Sequence, residues 1–282
     1  MRNLLESDKF RTSLSHGALY VLLIFLSFII MFPFFWMLSS SFKPDWEIFQ
    51  FPVRWIPETF RPDNYVRMWN TINYTRILFN TVFMATTITT LQLITCTLAG
   101  YAFAKINFKG NRLIFLCYLS TLMVPFQVVM IPQFTIIRSM GLTNSMWAVI
   151  ILMAFSPFGV FLMRQFFLGI PYELSEAAKI DGLGEFGIYS KIVIPLSRPV
   201  IAALAIFTSV SAWNEFLLPL IYIQARSSFT IQQGLRSLFL EYSVDFSGIM
   251  AGAVVTVLPV LIVFLFMQRY FIEGVVMSGI KG

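Results

Sequence analysis

The sequence predicts an all-α protein that crosses a bilayer six times. Only 12% of its 282 residues are charged, 57% are apolar, and mean hydropathy is +0.77. The charges leave six long windows, 12–42, 77–104, 113–137, 139–163, 199–225 and 246–268, which hold a single acidic residue among them, Glu215. A helix rising about 1.5 Å per residue needs roughly 20 apolar residues to cross a hydrocarbon core of about 30 Å. A transmembrane strand needs only about 10, so these windows do not describe a barrel.

The first span, about 17–42, follows Arg2, Lys9 and Arg11 and carries the apolar run from Leu19 to Phe35. It is too long for a signal-peptide core and lacks a small-residue cleavage site, which makes it a retained anchor. Residues 43–76 form an outer segment whose Trp46, Trp55 and Trp69 suit a membrane interface. Spans at about 77–104 and 113–137 are joined by a tight basic loop, and a turn with Gly141 and Asn144 leads to the fourth, about 145–165. Such short connections imply antiparallel neighbours. Pro125 and Pro132 in the third span, and Pro157 with Gly159 in the fourth, predict bends. Bent helices can line a pathway, but proline is also common in membrane helices generally. The fifth and sixth spans, about 200–224 and 248–270, complete one undivided membrane domain without internal repeats.

Lys and Arg divide 12 against 8 across alternate sides, which favours both termini in the cytoplasm; the loop from Lys105 to Arg112, three basic residues and no acid, is the cleaner indicator. The formal charge of +6 is scattered over loops, as expected of membrane flanks and not of a nucleic-acid surface. Cys96 and Cys117 both fall within spans and do not report on redox compartment. No Gly-x-x-x-x-Gly-Lys-Ser/Thr phosphate loop is present, and the sole histidine, His16, is poorly placed to serve an intramembrane hydrolase.

The segment 168–199, on the inner side by this count, is the most informative. Pro171 suits a first helical position and Gly182 a left-handed helix end. At about 100° per residue, Leu174, Ala177, Ala178 and Asp181 share a face that excludes Glu173, Glu176 and Lys179. The small alanines would let another backbone approach. A second amphipathic run with Phe186, Tyr189 and Ile192 ends at Pro195 and Pro199. Alternatively, Glu176 and Lys179 form an exposed helix pair and the loop binds lipid headgroups.

Glu176-Ala177-Ala178-x-x-Asp181-Gly182, then Ile192-x-Ile194-Pro195 and Pro199, resembles the EAA signature of the membrane subunits of binding-protein-dependent ABC importers; Ile194 stands where Leu is more usual. The resemblance implies a type I ABC importer permease fold, with this segment as the helix that couples to a separate ATPase. Glu176 and Asp181 would make polar contacts there, Ala177 and Ala178 would permit close packing, Gly182 would form the turn, and Ile192 and Pro195 would complete the motif. Ser211 to Leu220, Gln268 to Gly274 and the Lys281-Gly282 tail look like the carbohydrate-uptake branch, of the maltose-permease type, although Ser278-Gly279-Ile280 replaces the usual Gly-Ala-Val.

The same resemblance implies a second homologous permease, two ATPase copies that bind ATP and Mg, an extracytoplasmic sugar-binding protein and no cofactor on this chain. The setting would be the bacterial inner membrane, and the cargo a di- or oligosaccharide. The alternatives are a phosphorylated glycerol derivative as cargo, or an ion-coupled secondary transporter. An acid in hydrocarbon costs roughly 3 kcal/mol, so Glu215 must face a cavity or a partner helix. Either Trp213 stacks on a sugar while Asn214 and Glu215 hydrogen-bond it, or Asn214 and Glu215 hold helices or subunits together. Asn80 and Gln127 pose the same choice.

Overall fold

The computed structural model describes residues 2–239 and 244–279, with side chains at 17, over 19–239 and 244–266, and at 268. The Lys281-Gly282 tail, Ile280, and the side chains of His16 and of 269–279 lie outside the described residues. Secondary structure among the described residues is helical throughout, with no strand. The principal helices are α1 (Arg2–Ser40), α2 (Tyr74–Lys105), α3 (Asn111–Ser120), α4 (Phe126–Ser139), α5 (Met146–Met153), α6 (Pro157–Leu168), α7 (Tyr172–Ile180), α8 (Arg198–Asn214), α9 (Leu217–Tyr222) and α10 (Phe246–Gly279). Among the described residues, four stretches are long and apolar enough to cross a membrane: Leu19–Ser40, Tyr74–Lys105, Met146–Leu168 and Phe246–Phe266. The number reaches six when each of two bent pairs counts as one span.

The third and fifth spans are broken, the third within the stretch where its prolines predicted a bend. The third turns through 103° between Asn111–Met123 and Phe126–Ser139. Pro125, which has no N–H to continue the ladder, sits at that break in extended conformation. The fifth ends at Asn214, turns at extended Glu215 and resumes as α9. The fourth is interrupted between Met153 and Pro157, where the Ser156 hydroxyl caps α6 by accepting from the Gly159 amide at 3.1 Å.

The chain packs as two compact units, Met1–Thr71 with Leu238–Thr256, and Ile72–Ser237 with Val257–Gly282. In the first unit, the apolar stretch of α1 from Leu19 to Ser40 contributes no buried residue to its hydrophobic window. The segment after α1 instead folds around buried polar groups. Lys43 donates to the Arg54 carbonyl and stands 4.5 Å over the Trp36 ring. Glu47 accepts from the Glu58 and Thr59 amides at 2.8 and 3.3 Å, and Asn64 donates to the Ser41 and Lys43 carbonyls. Burial pushes the Lys43 ammonium below the ordinary lysine range, against the opposing pull of Glu47. Lys43 is therefore an internal brace, where the sequence suggested an ordinary membrane-flank charge.

The second unit is built on α2, which packs along α6 and α8. One core cluster gathers Cys96, Tyr101, Phe115, Met163, Phe167, Ile188 and Leu204; another gathers Met84, Ile88, Val149, Ile150, Ala212 and Tyr222. Close approach of α2 to α6 depends on Gly100, where an added Cβ would stand 2.7 Å from the Met163 Cβ. The first cluster reaches down to Ala178, Ile188 and Val193, so the loop after α6 is seated on the body of this unit.

Candidate functional site

Helix α7 starts one residue later than expected. Pro171 is its N-cap, extended at φ −55° and ψ 136°, not its first helical residue. Lys105, at the end of α2, donates to the Ile170 carbonyl at 2.6 Å and lies 5.9 Å from the Tyr172 ring centroid, fixing where α7 begins. At the other end, Gly182 takes φ +81°, its amide donates to the Lys179 carbonyl at 3.0 Å, and the Leu183 amide donates to Ala178 at 2.9 Å. This paired closure is a Schellman turn, which needs a residue free to adopt positive φ. Gly182 fills the role expected of it.

The inward face of α7 is narrower than the helical arithmetic suggested. Ser175 and Ala178 are buried, whereas Leu174, Ala177 and Asp181 are exposed together with Glu173, Glu176 and Ile180. The alanine pair is thus divided: Ala178 packs into its own chain and cannot contact another protein, and Ala177 stands open. Lys179 does not pair with Glu176. Its ammonium meets Glu185 Oε1 at 2.7 Å, beyond the turn.

Glu185 was not anticipated as a site residue, yet it gathers the segment. Oε1 takes Lys179 of α7, and Oε2 accepts from the Tyr101 hydroxyl of α2 at 2.7 Å. One helical turn on, the Tyr189 hydroxyl lies 2.8 Å from Thr97 Oγ1, and the Tyr101 and Tyr189 rings meet edge to face at 5.4 Å. Hydrogen bonds from Lys179 and then Tyr101 hold the Glu185 carboxyl below the ordinary carboxylate range, and the bond to Glu185 raises Lys179. Both side chains are nearly half exposed, so solvent screens the attraction and the contribution is mainly geometric. The Glu185 contribution is present above the ordinary carboxylate pKa and lost as pH falls through its lowered value. That of Lys179 is present below the ordinary lysine pKa and lost as pH rises through its raised value.

Beyond Glu185 the backbone widens into a π-turn over Tyr189–Val193 ahead of Pro195, which has no N–H for a regular ladder. Ile192 packs half-buried against the first core cluster, Pro195 is exposed, and buried Ser197 donates to the Val193 carbonyl at 2.7 Å. The motif residues therefore split into an exposed set, Glu176, Ala177, Asp181, Gly182 and Pro195, and an inward set, Ala178 and Ile192.

The polar residues considered for a pathway lie elsewhere and serve mostly local ends. Asn80 donates to the Ser227 and Phe229 carbonyls at 3.0 and 2.9 Å, holding a loop. Asn214 donates back to Val210 at 2.9 Å, and Glu215 accepts from the Leu218 amide at 3.0 Å, capping α9. Gln127 is exposed. Trp213 lines a cavity of about 360 Å³ with Thr86, Thr89, Thr90, Ser209 and Pro259. Its indole nitrogen is buried without an acceptor among the described residues, and the threonine and serine hydroxyls already donate to helix carbonyls.

Two further braces escaped the sequence reading. Gln92 donates to Met153 at 2.6 Å and accepts from Thr208 at 2.9 Å, joining α2 to α5 and α8. Asn144, at φ 61°, accepts from the Gln224 and Ala225 amides. Gln92 gave the same signal as Asn80 and Gln127, an amide in a charge-free window. Asn144 gave only that of a turn residue.

Residues 96–276 match the family model described as "binding-protein-dependent transport system inner membrane component". The chain is 38% identical to the arabinooligosaccharides transport system permease protein AraQ of Halalkalibacterium halodurans, over 92% of this chain and 94% of that protein. It is 33% identical to the diacetylchitobiose uptake system permease protein NgcG of Streptomyces coelicolor, over 97% and 90% respectively. Its fold is similar, with a TM-score of 0.79 and 24% identity, to a chain in the crystal structure of a bacterial ABC transporter involved in import of the acidic polysaccharide alginate, covering 89% of this chain and 94% of that one.

Proposed function

The chain belongs to the family of binding-protein-dependent transport system inner membrane components, in its carbohydrate-uptake branch, and from that premise we propose that it forms half of the pathway of an ATP-driven importer for a di- or oligosaccharide. It is a multi-pass sugar permease with a type I ABC importer fold. A second homologous permease completes the pathway, and two ATPase copies bind ATP and its Mg²⁺. A sugar-binding protein delivers cargo from outside the bacterial cytoplasmic membrane, and both termini lie in the cytoplasm.

The observation that carries this reading is α7, whose Ser175–Ala178 face is fastened to its own chain while Glu176, Ala177 and Ile180 project outward. An apolar residue 87% exposed, Ile180, flanked by carboxylates on a capped helix, suits a groove on another protein. Glu176 and Asp181 supply polar contacts there, Ala177 allows close approach, and Gly182 with Pro195 shapes the segment. ATP-driven movement of the ATPases displaces α7 and switches access to the pathway. A phosphorylated cargo is less suited, because no Lys or Arg is among the described residues lining the Trp213 cavity. An ion-coupled transporter would place its carboxylate at the ion site, whereas Glu215 caps α9.

Liposomes holding this chain with its companion permease and ATPase, supplied with the binding protein, test the reading. The expected result is sugar-stimulated ATP hydrolysis with uptake. Uptake driven by an ion gradient without ATP would overturn it.

A further inference from the structure

We propose that Glu185 and Tyr101 are positioning residues that transmit movement of α7 to α2, joining the loop to the membrane-spanning helix as a two-point clamp. This rests on the reading of α7 as the ATPase-docking helix. The connection from α7 to the next helical run passes through Gly182 at φ +81° and Gly184, with exposed Asp181 between α7 and the turn. Without a bridge, those glycines would let α7 swing when pushed.

Glu185 closes that hinge by accepting from Lys179 on one oxygen and Tyr101 on the other, each at 2.7 Å. A single bridge could still pivot. The second point is Tyr189 with Thr97 at 2.8 Å, and it repeats the first one turn along both helical runs, since Thr97 and Tyr101 are four residues apart, as are Glu185 and Tyr189. Ring contact at 5.4 Å between Tyr101 and Tyr189 fills the space between the two bridges. Tyr101 and Thr97 are both 4% exposed, so the α2 side of the clamp is set in the core, while Lys179 and Glu185 reach out to the docking helix. A displacement applied to the outward face of α7 thus reaches the last turns of this unit's axial helix instead of being absorbed at the turn.

The test uses the complete importer in proteoliposomes, with the ATPase bound to each complex and the uptake per ATP hydrolysed as separate readouts. Glu185→Ala is expected to retain the ATPase and to lower uptake per ATP about fivefold, as for loss of a charge-assisted bridge. Tyr101→Phe keeps the ring and removes one hydrogen bond, and is expected to lower the ratio about twofold to threefold. Glu185→Gln, whose amide oxygen still accepts from Tyr101, is expected to recover most of the loss.

Normal uptake per ATP in both Glu185→Ala and Tyr101→Phe would overturn the clamp while leaving the docking reading intact. Loss of the ATPase from the Tyr101→Phe complex would also overturn it, by showing a merely structural role. If Glu185→Ala fails to accumulate, Tyr101→Phe with its Glu185→Gln counterpart decides. Failure of the docking reading looks different: a Glu176→Lys complex would hold its ATPase and transport like the unaltered chain.

Discussion

Glu185 and Glu215 are both carboxylates beside a turn, Glu185 opening a helix and Glu215 just past the end of one, and they do different work. Glu215, inside a charge-poor window, caps the backbone three residues onward. Glu185, in a polar loop, joins side chains on two other helices, one of them 84 positions away. Position within the membrane therefore did not identify the carboxylate with the larger reach. An intramembrane acid is costly and draws attention, yet that cost can be met by a local N–H. A half-exposed acid costs little to place, and what it contributes depends on what its oxygens connect.

That contrast orders the expected effects of substitution. The largest falls on the turn that brings Lys179 back to Glu185. Gly182→Pro cannot adopt φ +81° and deletes the amide bond to Lys179, a change on the order of 3 kcal/mol or more. Uptake in proteoliposomes is expected to be abolished, while the exposed location leaves membrane insertion, read by fractionation, near normal. Glu176→Lys comes next. Reversing a charge on the open face is expected to weaken ATPase attachment about tenfold in a titration of detergent-solubilised permease, with the fold unchanged by circular dichroism.

Glu215→Ala tests the other carboxylate. Loss of the α9 cap is expected to lower stability by about 1 kcal/mol in a thermal melt, with uptake within about twofold of normal. A collapse of uptake at unchanged stability would make Glu215 a pathway residue and erase the contrast. The smallest effect is with pH. Because Glu185 is lowered and Lys179 raised, their pairing is complete between the carboxylate and lysine ranges, and uptake per ATP is expected to stay flat from about pH 6 to 9. A step within that interval would mean that another titrating group governs coupling.

Much of the architecture was legible because the cost of charge in hydrocarbon writes spans directly as charge-free length. The 103° break at Pro125 was legible only as a bend, since proline marks where a ladder fails but packing sets the angle. Lys43 shows a charge in sequence and not its burial, which follows from the Arg54 carbonyl and the Trp36 ring closing on its ammonium. In the loop, the helix ends at Pro171 and Gly182 were readable to within a residue. The face was not: helical spacing tells which residues lie together, but the docking of α7 through Ala178, Ile188 and Glu185 chose Ser175 and Ala178 as the inward pair. Glu185 itself carried no local signal, because its meaning lies in Tyr101.

The two faces of α7 allow the most direct test of the central claim. In a Cys117→Ser background, Ala177→Cys and Ser175→Cys are introduced separately, and each assembled importer is treated with a short thiol-to-amine cross-linker. An adduct between permease and ATPase is expected from position 177, and essentially none from buried 175. Absence of any ATPase adduct from 177 in a complex that still hydrolyses ATP in response to sugar would contradict it.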